Sequence, residues 1–184
     1  MIKIIAFDLV GVLVNEKDIE LSMEEERLER MFGPNIDESS YLIKAKEIIN
    51  DDSVIDITKN LINKLYKVKD MLLLEKLKKK YPNIKIIIAT NHLSYVREFI
   101  KNNFNSKYLD DVIISAEIHK IKPNFDFYEY ILDKYNISPN ELLFLDDNSK
   151  NIDSANNLGI KTIKVEKDTI LFAEICKKID NISY

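Results

Sequence analysis

The chain reads as short, unbroken apolar runs rich in Ile and Val, alternating with stretches of helical periodicity. Runs of this kind suit parallel strands buried on both faces, and the stretches between them suit amphipathic helices that cover the sheet. Strands are expected near residues 3–7, 85–89, 111–115, 142–145 and 161–165, with helices over 95–103, 124–135, 150–158 and 169–179. Pro123 fits a helix start, where its missing N–H costs little, and Gly159 fits a helix end. The pattern predicts an α/β fold, a three-layer Rossmann-like parallel sheet.

One stretch breaks the alternation. Between Val14 and about Val68 no strand pattern is visible. Ser22-Met23-Glu24-Glu25 reads as a capping box that opens a helix with Leu28, Met31 and Phe32 on one face, and Gly33-Pro34 ends it. A second stripe runs through Tyr41, Leu42, Ala45, Ile48 and Ile49, and a third through Val54, Ile57, Leu61, Ile62 and Leu65. A helix over 71–80 then leads back to the strands. The expected organisation is a core of residues 1–14 and 69–184, with a small helical insertion over 15–68 after the first strand.

Composition narrows the class. With 184 residues, 46% of them hydrophobic, the chain can bury a substantial core. No apolar run approaches the roughly 20 residues of a membrane helix, so no membrane partner is expected. The amino terminus leads straight into a strand, leaving no room for a cleavable signal, and the single cysteine, Cys176, has no internal partner. Together these predict a cytoplasmic protein. A net charge of −4 with both signs interspersed speaks against a nucleic-acid partner. Lys76, Lys78, Lys79 and Lys80 read as a solvated helix end, where cations complement the helix dipole. The oligomeric state is left open.

The chemistry gathers where strands end. Ile4-Ile5-Ala6-Phe7 runs into Asp8 and then a turn on Gly11, and Ile86-Ile87-Ile88-Ala89 runs into Thr90-Asn91. Ser115-Ala116-Glu117 leads to Lys122-Pro123, and Leu143-Phe144-Leu145 ends in Asp146-Asp147-Asn148, with Asn151, Ala155 and Gly159 behind it. In this order the four segments resemble the motifs of the haloacid dehalogenase (HAD) superfamily, and the insertion after the first strand resembles its C1-type helical cap. Two of the chain's three glycines, Gly11 and Gly159, fall in motif positions.

The resemblance implies a phosphatase-type hydrolase. It casts Asp8 as a nucleophile that becomes transiently phosphorylated, with Thr90, Asn91 and Lys122 completing the catalytic set. It implies one Mg²⁺ held by the Asp8 and Asp147 carboxylates and the Val10 backbone carbonyl, with Asp146 as a ligand through water or as a partner of Lys122. Physical chemistry agrees with these roles. A carboxylate and a phosphate repel each other, so cations must offset their charge, and Mg²⁺ prefers oxygen ligands. The expected substrate is a small phosphorylated metabolite. The departure is Val10, which stands where the superfamily carries its general acid and base. His92, two residues past Thr90, is a candidate to face the site and replace it. A HAD-like binding or regulatory protein without turnover is the alternative. A metal-independent haloacid dehalogenase is a further one, disfavoured by the Asp146-Asp147 pair.

Overall fold

The computed structural model describes residues 1–33, 37–50 and 52–182. Its centre is a five-stranded parallel sheet built from β1 (Ile4–Phe7), β4 (Lys85–Thr90), β5 (Asp111–Ile114), β6 (Leu142–Asp146) and β7 (Lys161–Lys164), in the order β5-β4-β1-β6-β7. β1 pairs with β4 in the register Ile5↔Ile86 and with β6 in the register Ile5↔Leu143. Strands buried on both faces divide their side chains strictly by parity. Ile4 and Ala6, with Ile87, Leu142 and Phe144, face the helices α7 (Phe125–Tyr135) and α8 (Ser149–Asn157). Ile5 and Phe7, with Ile86, Ile88, Leu143 and Leu145, face the opposite layer of α4 (Leu73–Lys80), α5 (Val96–Asn103) and α9 (Leu171–Ile182). A four-residue turn of helix, α6 (Ser115–Ile118), follows β5, so Ser115 begins a helix where the apolar pattern places it at a strand end.

The α/β expectation holds, and one part of it needs correction. Between Val14 and Val68 there are strands as well as helices: β2 (Val14–Glu16) and β3 (Tyr66–Val68) pair antiparallel, with Val14↔Val68 and Glu16↔Tyr66. Each has three residues, too few to show alternation, and β3 continues the apolar stripe of the helix before it. Between them lie α1 (Met23–Glu29), α2 (Glu38–Ile48) and α3 (Val54–Leu65). The Ser22 capping box is present, with Ser22 N–H on Glu25 at 2.9 Å and Glu25 N–H on the Ser22 hydroxyl at 3.2 Å. α1 ends earlier than its apolar stripe suggests, so Met31 and Phe32 lie in the turn behind it; Pro34 lies outside the described residues. α4 begins at Leu73, because the Asp70 carboxylate accepts the Leu72 N–H in a tight turn before it.

The three helices share the core with one sheet face. Leu28, Phe32, Tyr41, Leu61 and Ile62 are buried in the same apolar cluster as Phe7 and Ile88. The Tyr41 hydroxyl bonds Thr58 Oγ1 at 2.6 Å, and Lys59 of α3 pairs with Glu98 of α5 at 2.9 Å. No helix among the described residues is long and apolar enough to cross a membrane.

The strand order also locates a crevice. From β1 the chain steps outward to β4 and β5, then returns across β1 to β6 and β7. Strand order reverses between β1 and β6, and at such a point the carboxyl ends of neighbouring strands leave an opening for ligands. Asp8 directly follows β1 and Asp146 ends β6.

Candidate active site

Three carboxylates meet in that crevice. Asp8, Asp146 and Asp147 each bring an oxygen to within 4.8 Å of the others. Two loops allow it. After β1 the chain turns on Gly11, at φ +82, while the Leu9 carbonyl accepts both Leu13 and Val14 N–H at 2.9 Å. After β6, Asn148 caps α8 by accepting the Lys150 N–H at 2.9 Å, and its own N–H donates to Asp146 at 2.8 Å. The loops then interlock. A Cβ on Gly11 would lie 2.1 Å from Asp147 Oδ2, so a side chain there would push that carboxylate aside, besides being strained at this positive φ.

Lys122 neutralises the inner part of the cluster. Its buried ammonium donates to Asp8 Oδ1 at 2.9 Å and to Asp146 Oδ2 at 2.7 Å. Burial pulls the Lys122 ammonium down, and the two carboxylates more than restore it, so the net shift is upward. Asp146 is fully buried and occupied, for its oxygens also accept Asn151 Nδ2 at 3.1 Å and the Asn148 N–H. Asp8 is less well compensated. Burial pushes its carboxyl up, Lys122 opposes this, Asp146 adds to it, and the result is about 6. Burial and the Asp146 charge also raise Asp147, against a smaller opposing pull from Lys122 and Lys69.

The other expected residues take distinct places. Thr90 is buried at the carboxyl end of β4, beside β1. Asn91 spends its amide on the lysine's own main chain: Nδ2 donates to the Lys122 carbonyl at 2.8 Å and Oδ1 accepts its N–H at 3.0 Å. That pairing sets where the Lys122 side chain starts. Val10 is half-buried in the turn, and among the described residues no hydrogen bond ends on its carbonyl. Hard oxygen donors crowded together, two of them raised by burial and the Asp146 charge, fit a divalent cation of the Mg²⁺ kind.

His92, the candidate to face the site, does not join them and is a packing residue, as isolated histidines more often are. Its ring is buried between Phe32 and Tyr66, at centroid distances of 5.5 and 5.8 Å. Nδ1 lies 3.2 Å from the Leu93 carbonyl and Nε2 3.0 Å from the Tyr66 hydroxyl. A neutral ring that donates from Nδ1 and accepts at Nε2 satisfies both contacts. Burial lowers His92 to about 4. The unfolded chain therefore takes up a proton near pH 6.5 that the folded protein refuses, and stability rises with pH through this window. Unfolding free energy should fall by about 2 kcal/mol from pH 7 to pH 5 on account of His92. Denaturant titrations of His92→Gln should lack this component; an unchanged pH slope would refute it. Asp8, shifted the other way, has the opposite slope, so single variants are needed to separate the two.

Comparison with known proteins agrees with this fold. A family model described as haloacid dehalogenase-like hydrolase matches residues 5–165. A stretch of 72 residues is 35% identical to bifunctional epoxide hydrolase 2 of Rattus norvegicus, covering 39% of this chain and only 13% of the rat protein. Among solved structures, a predicted HAD-like family hydrolase from Porphyromonas gingivalis superposes with a TM-score of 0.76 at 19% identity, covering 97% of this chain and 98% of that one. A HAD family enzyme from Bacteroides thetaiotaomicron, solved with magnesium and inorganic phosphate, gives 0.71 at 19% identity, covering 92% and 96%. At such identities the structures speak for the fold alone. The match over residues 5–165, by contrast, takes in all five strands of the sheet and the residues at their ends. The chain belongs to the haloacid dehalogenase-like hydrolase family.

Proposed function

We propose that this hydrolase is a Mg²⁺-dependent phosphatase that acts on a small phosphorylated metabolite through an aspartyl phosphate at Asp8. The observation that carries the reading is the Asp8–Asp146–Asp147 cluster with Lys122 buried inside it. The magnesium and phosphate held by the Bacteroides structure support it.

Asp8 Oδ attacks phosphorus, and the bond to the leaving oxygen breaks with its electron pair on that oxygen. Lys122 offsets charge on the attacked phosphoryl group, and Thr90 donates a hydrogen bond to one of its oxygens. Water then attacks the aspartyl phosphate and restores Asp8. Val10 offers no proton for the leaving oxygen and no base for that water, so water or another donor must serve, at a cost in rate. Asp8, Asp147 and the Val10 carbonyl would hold Mg²⁺, which when bound supplies a positive charge between nucleophile and phosphate. Asp146 acts through Lys122. Helices α1–α3 are read as a C1-type cap over the site, and residues 1–14 and 69–184 as the core.

A screen of phosphorylated metabolites, with and without Mg²⁺, tests the reading against an Asp8→Asn blank. Phosphate release that needs both Mg²⁺ and Asp8 is expected; release that persists in Asp8→Asn would overturn it. In calorimetry, Asp147→Ala should lose measurable Mg²⁺ binding, and an unchanged affinity would refute the metal assignment. The second reading, a regulatory protein without turnover, is favoured by one observation, the valine at position 10. It predicts Mg²⁺ binding with no release from any ester.

A further inference from the structure

Three consecutive residues at the end of β4 each reach a different part of the molecule. Thr90 stands at the strand end beside β1. The Asn91 amide grips the main chain of Lys122, whose ammonium lies 2.9 Å from Asp8. His92 reaches the other way. Its Nε2 accepts the Tyr66 hydroxyl at 3.0 Å, and Tyr66 opens β3, the strand by which the chain returns from helices α1–α3. Contact by contact, the two-stranded ribbon is joined to the nucleophile: Tyr66 to His92, His92 through Asn91 to Lys122, and Lys122 to Asp8.

The link is stiff at each joint. The main chain of His92 is held by α6: its N–H donates to Ser115 Oγ at 3.0 Å, and its carbonyl accepts the Ala116 N–H at 3.3 Å. Tyr66 is buried, with its ring edge-on to Phe99 of α5 at 5.7 Å and its main chain paired opposite Glu16. Burial, and then the charges of Glu16, Glu29 and Asp8, push the Tyr66 phenol up, so its hydroxyl keeps the proton it donates. Planar peptides carry any shift of His92 directly to Asn91 and Thr90. Stacked rings tolerate sliding, whereas a buried hydrogen bond fixes distance and direction.

We infer that Tyr66 is a positioning residue for the phosphoryl-binding groups: through the packed ring of His92 it fixes the strand end that carries Thr90 and Asn91, and with it the place from which Lys122 meets Asp8. The ribbon on which the helical insertion hangs thereby sets the geometry of the site without touching substrate. The inference deepens the phosphatase reading and rests on it for the roles of Thr90 and Lys122.

The test compares wild type with Tyr66→Phe, which keeps the ring and drops the hydroxyl, and with the double variant Tyr66→Phe/His92→Phe. Orthovanadate with Mg²⁺, a mimic of the five-coordinate phosphoryl group, is titrated by calorimetry beside the kinetics of phosphate release. Tyr66→Phe leaves the His92 Nε2 buried and unpaired and should lose stability; the double variant removes both polar partners and should regain much of it. A slight misplacement of catalytic groups acts on the transition state, so Tyr66→Phe should cut kcat about tenfold with KM within about twofold. The orthovanadate Kd should rise by about the same tenfold, since this mimic reports transition-state binding. Both losses should persist in the double variant although its stability returns. Losses that vanish with the regained stability would show that the pair only packs and would overturn the inference. So would an orthovanadate Kd that is the same in wild type and folded Tyr66→Phe, or no orthovanadate binding at all; either leaves the phosphatase reading to its own screen. Orthovanadate bound in a Tyr66-dependent way, with no phosphate released from any ester, would support the inference and overturn the phosphatase reading.

Discussion

Asp8→Asn should reduce phosphate release by at least about 10⁴-fold, the scale seen when a nucleophile is removed, and should also make the metal-free protein more stable at pH 7. The second effect follows from the folded carboxyl lying near 6, mainly through burial, against 3.8 in the unfolded chain. A raised acid stabilises the fold below the unfolded value and loses that contribution as pH rises through the folded one. At pH 7 the ionised Asp8 therefore costs on the order of 2–3 kcal/mol, which an amide avoids. Lys122 keeps Asp146 as its partner in the variant, at 2.7 Å in the present structure. Urea unfolding in EDTA should show the variant ahead at pH 7 and the gap closing toward pH 4. Mg²⁺ should then favour wild type, since a ligand that binds only the folded state stabilises it by mass action. A variant less stable than wild type at pH 7 in EDTA would sink this account of Asp8.

Val10→Asp should speed the hydrolysis of alkyl phosphates, within the roughly 10²–10⁴-fold scope of general acid–base catalysis. The gain should be smaller for aryl or acyl phosphates, whose leaving groups need less protonation. Val10→Asn controls for size, because a carboxylate added beside Asp8 and Asp147 could instead disturb the metal. The structure sharpens this test by removing His92 as a substitute acid, its ring being buried and held by Tyr66 and Leu93. If wild type already hydrolyses alkyl phosphates fast and Val10→Asp adds nothing, an acid must be sought elsewhere around the crevice. If both proteins bind Mg²⁺ and neither releases phosphate, the regulatory reading wins.

Much of this architecture was legible because the core strands are apolar throughout and each ends in a polar group. Residues 4–7 and 142–145 could hardly be anything but buried strands, and Asp8 and Asp146 inherit their positions from them. The helical stripes over 41–49 and 54–65 were likewise plain, although Ile49 falls just past the end of α2. What escaped depends on partners far apart in sequence. Asn91 reads as a site residue, yet its amide is used on the main chain of Lys122, 31 positions away. His92 and Tyr66 find each other across 26 positions, which no local pattern reports. The β2–β3 pairing gave no signal either, because three residues a side are too few to announce a strand.

That two-stranded ribbon has a consequence for how such a protein can change over time. Val14 and Val68 face each other across it, so the chain leaves for the three helices and returns from them at adjoining points. Neighbouring strands lie only about 5 Å apart, a gap that a tight turn can bridge. The insertion therefore hangs on a two-pin connector while its helices share the core with one sheet face. Any change in its length must still keep Leu28, Phe32, Tyr41, Leu61 and Ile62 packed beside Phe7 and Ile88, so the part free to vary is the surface of these helices turned away from the sheet.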